Sequence, residues 1–386
     1  MVVADKSHSK SKRVRHPHLV DGLESGHGSD TGTSKLILTT YDADAIEEQE
    51  VADLSKLHSI VEADKKKVVW LHIMGVPDQK LLDEINSFFD MHNLAPLEVL
   101  KAHMRSKLEL FGDKFMVVAW FIGLESALRT HQVIIVASKS FVVSVQHEQQ
   151  DLTTAVREKL QKSVTKIRNG GTDYLVYSIL DSIVDSYFPC LERYGEKLEA
   201  VEDFIIDNPT KRSITQIHSI KRDLLAVRRH IWSLRETVNA ILRDASENFT
   251  QDTTIHVRDL YDHAVQLIDV VETYRELAAD LMDVYLSSIS NRMNEVMKVL
   301  TIITTIFVPP SLVAGIYGMN FRADKSPFNM PELSWYLGYP FALALMCLLA
   351  LTTLSFFWWK GWLGDPPKFV RAWQRKINRN NHNHRK

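Results

Sequence analysis

Cysteine is almost missing from this 386-residue chain: Cys190 and Cys347 are the only two, too few for a disulfide scaffold and part of no metal or redox motif. Net charge is nearly missing too. The 46 Lys and Arg stand against 48 Asp and Glu, a formal -2, so the whole chain has no basic excess of the kind that binds nucleic acid. No glycine-rich Walker loop occurs, which argues against ATP-driven pumping. His147-Glu148-Gln149-Gln150-Asp151 lacks the second histidine of a zinc hydrolase. Nothing kinase-like or cyclase-like accompanies it, so no enzyme and no bound cofactor are expected. The amino-terminal stretch has no apolar run, and no secretory signal is expected there.

Charge is missing locally over two long stretches. Residues 299–321 are 23 without Lys, Arg, Asp or Glu, and residues 333–359 are a further 27. Each is long enough to cross about 30 Å of hydrocarbon as a helix. Buried soluble helices seldom stay uncharged for so long, so transmembrane helices are expected at 299–320 and 339–359, around an extracytoplasmic loop at 321–338. Arg292 and Lys298 precede the first run. Residues 360–386 carry eight Lys and Arg against one Asp, net +7, while the loop is balanced. By the positive-inside rule both termini are cytoplasmic, in a multi-pass protein of the cell (inner) membrane. Trp335, Tyr336 and Tyr339 then mark the outer interface, and Trp358, Trp359 and Trp362 the inner one. The basic tail at 360–386 is suited to anionic membrane lipid.

Residues 1–35 are rich in Ser, Gly, Lys and His without apolar periodicity, and read as a disordered tail. Strands are expected at Leu36–Thr40, Lys67–Ile73, Phe115–Phe121, Val133–Ala137 and Phe141–Val145. Helices are expected at Gln79–His92 and near Pro96–Leu100, which makes 36–150 an α/β domain. From Asp151 the period becomes helical, defining a helical domain over 151–298. One helical pattern covers Asp173–Ile206 and breaks at Asn208-Pro209, and Thr210 or Ser213 caps the next. A last helix starts near Thr253 or Thr254. Leu260, Ala264, Leu267, Val271, Tyr274, Ala278, Leu281 and Tyr285 give it a heptad-like stripe, suited to packing of copies about an axis. No proline occurs before Pro309, so this helix runs on into the first span, some 60 residues and about 90 Å long.

Along that span Asn294, Met297, Thr301, Thr304, Val308 and Ser311 recur every three or four residues. Hydroxyls and an amide are poor partners for lipid, whereas a line of them facing an axis holds water and ions. Hydroxyls also bond back to their own helix, which leaves a structural role open. Two spans cannot enclose a wide path, but several subunits around an axis can.

The outer end of the first span reads Tyr317-Gly318-Met319-Asn320-Phe321, followed by Met330-Pro331-Glu332-Leu333 and Gly338-Tyr339-Pro340. This resembles the CorA magnesium transport proteins, and Tyr285–Lys298 is similar to that family's inner pore segment. The resemblance covers roughly residues 36–363. It implies a homopentamer with an α/β cytoplasmic funnel domain, a long α-helical stalk and two C-terminal transmembrane helices. The first span lines the pore, and Gly318, Met319 and Asn320 form the selectivity filter. Mg2+ is the main substrate implied, moving down its electrochemical gradient, with cobalt or nickel often accepted. Magnesium releases water reluctantly, so a ring of neutral amides suits recognition of the hydrated ion without trapping it.

The same resemblance assigns Asn294 to an inner polar ring and Met297 and Leu300 to an apolar constriction. Val308 and Ser311 face the pore, with Thr301 and Thr304 as further wall residues, and Glu332 attracts ions from the loop. Val308 stands where some members have methionine, and Pro309-Pro310 where one proline is usual. Asp259 matches the acidic residue of the family's divalent sensor, with Glu98 as its partner where some members have aspartate, which implies Mg2+ as a regulatory ligand. A zinc or other transition-metal transporter of the same architecture is the alternative. A membrane receptor would need the stalk but no conductive strip.

Overall fold

The computed structural model describes residues 34–51, 67–77, 79–89, 104–124, 127–162, 166–320 and 328–363. Glu98, the expected helix at Pro96–Leu100 and most of the expected tails at 1–35 and 360–386 lie outside them, while Lys35 of the first tail belongs to a strand because it pairs in the sheet. The described chain divides into two compact units at Met282/Asp283.

In the first unit, seven strands form one sheet: β1 (Lys35–Tyr41), β2 (Ile46–Val51), β3 (Val68–Met74), β4 (Lys107–Phe111), β5 (Lys114–Leu124), β6 (Leu128–Ala137) and β7 (Phe141–Gln146). Their order is β2-β1-β3-β7-β6-β5-β4. Only β3 and β7 pair in parallel. Both are buried along nearly their whole length, as central strands covered on both faces must be. Helix α1 (Gln79–Phe88) lays Leu82 and Ile85 on one face, over Leu71, Ile73, Val143 and Val145. A buried side chain of this kind stabilises by about 1.5–3 kcal/mol.

Alternation sends Trp70 and His72 of β3 to the opposite face, where a polar network is closed from solvent. Ser144 Oγ accepts from Trp70 Nε1 at 2.8 Å and lies 2.7 Å from His72 Nδ1. His72 Nε2 faces the acceptor-only Asp151 carboxylate, 3.4 Å from Oδ1, which places the ring proton on Nε2 and leaves Nδ1 to accept from the Ser144 hydroxyl. Arg157 Nε bonds Asp151 Oδ2 at 2.6 Å, its second arm reaches Glu48 at 3.2 Å, and its guanidinium covers the Trp70 ring. Ser144, His72 and Asp151 have the residue types of a hydrolase triad. With Ser144 and His72 both 0% exposed and the hydroxyl engaged twice, they tie the sheet to the helical part of the chain.

The helical part comprises α2 (Thr154–Gln161), α3 (Lys166–Asn169), α4 (Thr172–Asp185), α5 (Tyr187–Asp207), α6 (Lys211–Asp244) and α7 (Gln251–Tyr317). The expected single helix over Asp173–Ile206 is two. Pro189 has no N–H for the carbonyl of Asp185, and Ser186 Oγ instead donates to Ile183 and accepts from the Ile122 N–H of β5. Thr210 and Ser213 cap α6 together, as a reciprocal box. Helix α7 starts three residues earlier than Thr254, because Thr250 caps it and is itself held by Asp173 of α4, whose carboxylate accepts from its N–H and hydroxyl at 2.9 Å.

The apolar stripe of α7 has a different use from the one its spacing suggests. Leu260, Ala264, Leu267, Val271 and Ala278 are buried within the single chain. Tyr177 of α4 stacks on His256, Arg228 of α6 pairs with Glu272, and Gly195 of α5 makes room for Tyr274, whose hydroxyl lies 2.8 Å from where a Cβ would be. That face is consumed by α4–α6 of the same protomer and is not free to meet another copy.

The second unit contains the end of α7, a 3-10 turn at Pro331–Ser334 and α8 (Gly338–Trp359). Its two apolar windows are only 6% and 11% buried, so neither is the core helix of a soluble protein. Two helices left bare in this way suit hydrocarbon.

The buried network sets an acid limit on stability. Burial opposes the Asp151 charge, but His72, Thr153 and Arg157 outweigh it and hold the carboxyl below the usual range, while burial lowers His72. Both groups bind protons more readily when unfolded. Stability is therefore full above about pH 6.5, declines first as His72 protonates, and declines again below about pH 4 as Asp151 does. Asp151→Asn is expected to cost about 3 kcal/mol at pH 7 and to flatten the limb below pH 4, measured by denaturant unfolding across pH.

Candidate ion pathway

Asn294, Met297, Leu300, Thr301, Thr304, Val308 and Ser311 all lie on α7, and all are exposed in the single chain. Their hydroxyls have a consistent bonding pattern. Thr301 donates to the Met297 carbonyl, Thr304 to Leu300 and Ser311 to Phe307, each at 2.8 Å, and neighbouring Thr305 donates to Thr301 at 2.7 Å. Each hydroxyl hydrogen is thereby turned into the helix and the oxygen lone pairs remain outward. The strip thus presents acceptors. A hydrated cation presents the O–H bonds of its waters, which is the complementary set.

Pro309 and Pro310 lie inside α7 without ending it. Neither has an N–H, so the carbonyls of Thr305 and Ile306 lose their donors one turn on. Two further acceptors therefore occur midway along an apolar helix, where unpaired backbone is costly against lipid and tolerated beside water or protein.

The helix closes without help from a side chain. Gly318 N–H donates to Ala314 at 2.9 Å and Met319 N–H to Ile316 at 3.1 Å. A Cβ on Gly318 would come within 3.2 Å of the Ala314 carbonyl, so the close turn favours glycine. Asn320 follows these two bonds and is exposed. Glu332, in the Pro331–Ser334 turn, is half-buried.

Asp259 lies in the first unit, on the exposed side of α7. Its proposed partner Glu98 is outside the described residues, so the pair is not brought together here. Residues that the sequence reading passed over adjoin it. Burial, with Asp181 and Asp259 nearby, raises the Tyr177 hydroxyl, and burial together with Asp181 raises the Asp185 carboxyl. Asp181 and Asp185, four apart on α4, were legible as a like-charged pair on one helix face. Tyr177 feels both Asp181 of α4 and Asp259 of α7, which follows from the packing of α4 on α7 and not from sequence spacing. Among the described residues no three His, Cys, Asp or Glu converge as a ligand set for a metal ion.

An α/β domain, a long helical segment and two bare apolar helices, the first ending in Gly318-Met319-Asn320, define a membrane protein with a strip of oxygen acceptors. The model of the CorA-like Mg2+ transporter protein family matches residues 65–360. The chain is 37% identical over 303 residues to the cobalt/magnesium transport protein CorA of Thermotoga maritima, covering 78% of this chain and 85% of that one. In fold it resembles the complete structure of the CorA magnesium transporter from Methanocaldococcus jannaschii, with a TM-score of 0.67 at 23% identity over 86% of this chain and 99% of that one. The full-length CmaX protein has the same fold, with a TM-score of 0.60 at 18% identity over 86% and 98% of the two chains. The chain belongs to the CorA-like Mg2+ transporter family, a family of transporters and not of enzymes.

Proposed function

We propose that the protein is a homopentameric, channel-like magnesium transporter that also passes cobalt or nickel. The observation that carries this reading is the continuity of one helix, α7, from an acceptor strip at Thr301–Ser311 to the Gly318-Met319-Asn320 end. Five such helices around an axis make a path that one cannot. The N-terminal domain and both termini lie in the cytoplasm by the positive-inside rule, and residues 321–338 lie outside.

In this reading Glu332 raises the local concentration of cations, and Asn320 receives the hydrated ion, its amide oxygens accepting from the ion's waters. Gly318 and Met319 complete the filter. The hydroxyls and carbonyls of α7 replace contacts with bulk water along the span. Met297 and Leu300 form an apolar ring that excludes water when closed, and Asn294 is the inner polar ring. Transport is passive. A potential of 100 mV favours inward movement of a divalent ion by about 4.6 kcal/mol. Asp259 with Glu98 of a neighbouring copy binds cytoplasmic magnesium, and loss of that ion leaves like charges facing each other and loosens the closed state.

Reconstituted in liposomes at fixed voltage and pH gradient, the protein is expected to carry magnesium in preference to zinc; a larger zinc flux overturns the reading. Asn320→Ala should reduce magnesium flux at least about tenfold, equivalent to about 1.4 kcal/mol, while the assembly survives. Mass measurement in mild detergent under reducing conditions should give five copies, and a dominant dimer is incompatible with the path. Asp259→Asn should move half-inhibition by internal magnesium about fivefold or more to higher concentration, at the low end of ordinary coupling energies. An unchanged midpoint makes Asp259 a solvated surface acid.

A further inference from the structure

The turn that carries Glu332 is held in a way its exposure does not suggest. Met330 has φ 46 and ψ 64, a left-handed conformation that a residue with a side chain keeps only when its surroundings impose it. Pro331 then opens the short 3-10 turn. The Glu332 carbonyl accepts from the Trp335 N–H at 3.1 Å, and the Trp335 carbonyl accepts from the Gly338 N–H at 3.1 Å. The Trp335 ring meets Phe341, one turn into α8, edge to face at 6.2 Å.

At the centre of these contacts is Gly338. A Cβ there would lie 2.2 Å from the Glu332 carbonyl oxygen, 3.3 Å from its carbonyl carbon and 3.5 Å from the Trp335 Cβ. The first distance is far inside contact and involves backbone, which cannot rotate away. Gly338 is not among the glycines with positive φ, so what requires glycine here is space and not backbone conformation. The bare Cα is the surface on which the Glu332 peptide rests.

We propose that Gly338 is a positioning residue for cation approach: by giving the Glu332 backbone a seat on the first turn of α8, it fixes where the Glu332 carboxylate stands at the mouth. This rests on the transporter reading above and adds to it the element that orients the acid. A carboxylate on a loosely held loop spreads its charge over a large volume, whereas copies fixed around an axis concentrate their field where the ion arrives. Five-fold repetition would multiply the effect of one seat.

The test measures magnesium flux by full-length protein in liposomes against external magnesium, at low and at physiological ionic strength. Gly338→Ala should raise the half-saturating concentration about three- to tenfold at low salt, at or below the bottom of the range for electrostatic focusing because the charge is displaced and not removed, with saturating flux retained. Pro331→Gly loosens the same turn without adding an atom in the packed seat, and should do the same. In both variants the difference from wild type should shrink at physiological salt, where screening reaches about 8 Å. On a Glu332→Gln background neither substitution should add a further shift, since both act through that charge. Unchanged half-saturation in assembled variants, or shifts that add to that of Glu332→Gln, overturns the proposal. If Gly338→Ala does not assemble, Pro331→Gly decides, and failure of that variant to assemble also overturns the proposal by making the turn a requirement of folding. Absence of magnesium flux in the wild type sinks the transporter reading instead.

Discussion

The backbone hydrogen bonds of α7, each from a residue to the fourth before it and interrupted only by Pro309 and Pro310, are the constraint on which the candidate pathway depends. Every proposed pore residue is carried by that helix or by the turn that closes it. Between Gln251 and Val308 the chain has neither glycine nor proline, so nothing in the sequence offers the ladder a place to open. The rotational order of Asn294, Met297, Thr301 and Thr304 is therefore fixed by the helix and needs no tertiary contact to set it. One inserted residue would turn everything beyond it by about 100°. At its start the same helix is pinned from outside, by the Asp173 carboxylate on Thr250.

The chemistry of the strip derives from the ladder. A threonine on a helix has a carbonyl within reach one turn back, and four hydroxyls here use it. The result is not a loss of polar function but a sorting of it, because donors are spent inside and acceptors are left outside. The paired prolines act in the same sense by removing two donors from the backbone. In the proposed path a cation with its waters would meet such a surface without any formal charge in the span, and so would not be held fast. Charge is left to the turn at Glu332.

Much of this was legible in the residues, and the parts that were not have physical reasons. β3 and β7 could be read because their Val and Ile runs are what burial on two faces requires. β2 could not, since Ile46-Glu47-Glu48-Gln49-Glu50-Val51 has no apolar alternation and is a strand only because β1 supplies its partner. β4 is the other edge strand, short and half-exposed. The break at Ser186 was available in Pro189, but the Ile122 N–H that completes it is 64 residues away. The stripe on α7 was read correctly as a packing face and assigned to the wrong partner, because periodicity records that a face is covered and not by whom. The Gly318-Met319-Asn320 end was plain in sequence, while the seat at Gly338 depends on a distance that no spacing reveals.

The two edges of the sheet decide how copies of this domain can join. An open sheet edge can accept a second chain's backbone as an added strand. Here one edge is β2, with Glu47 and Glu50 turned to water beside Lys67 and Lys35, and the other is β4, with Lys107 against Glu109. A strand laid along either would have to strip water from paired charges. Paired charges along both edges thus disfavour joining sheet to sheet, and in the proposed pentamer copies would meet through helices. Because α7 also carries the acceptor strip, assembly through helices would build the proposed path in the same step.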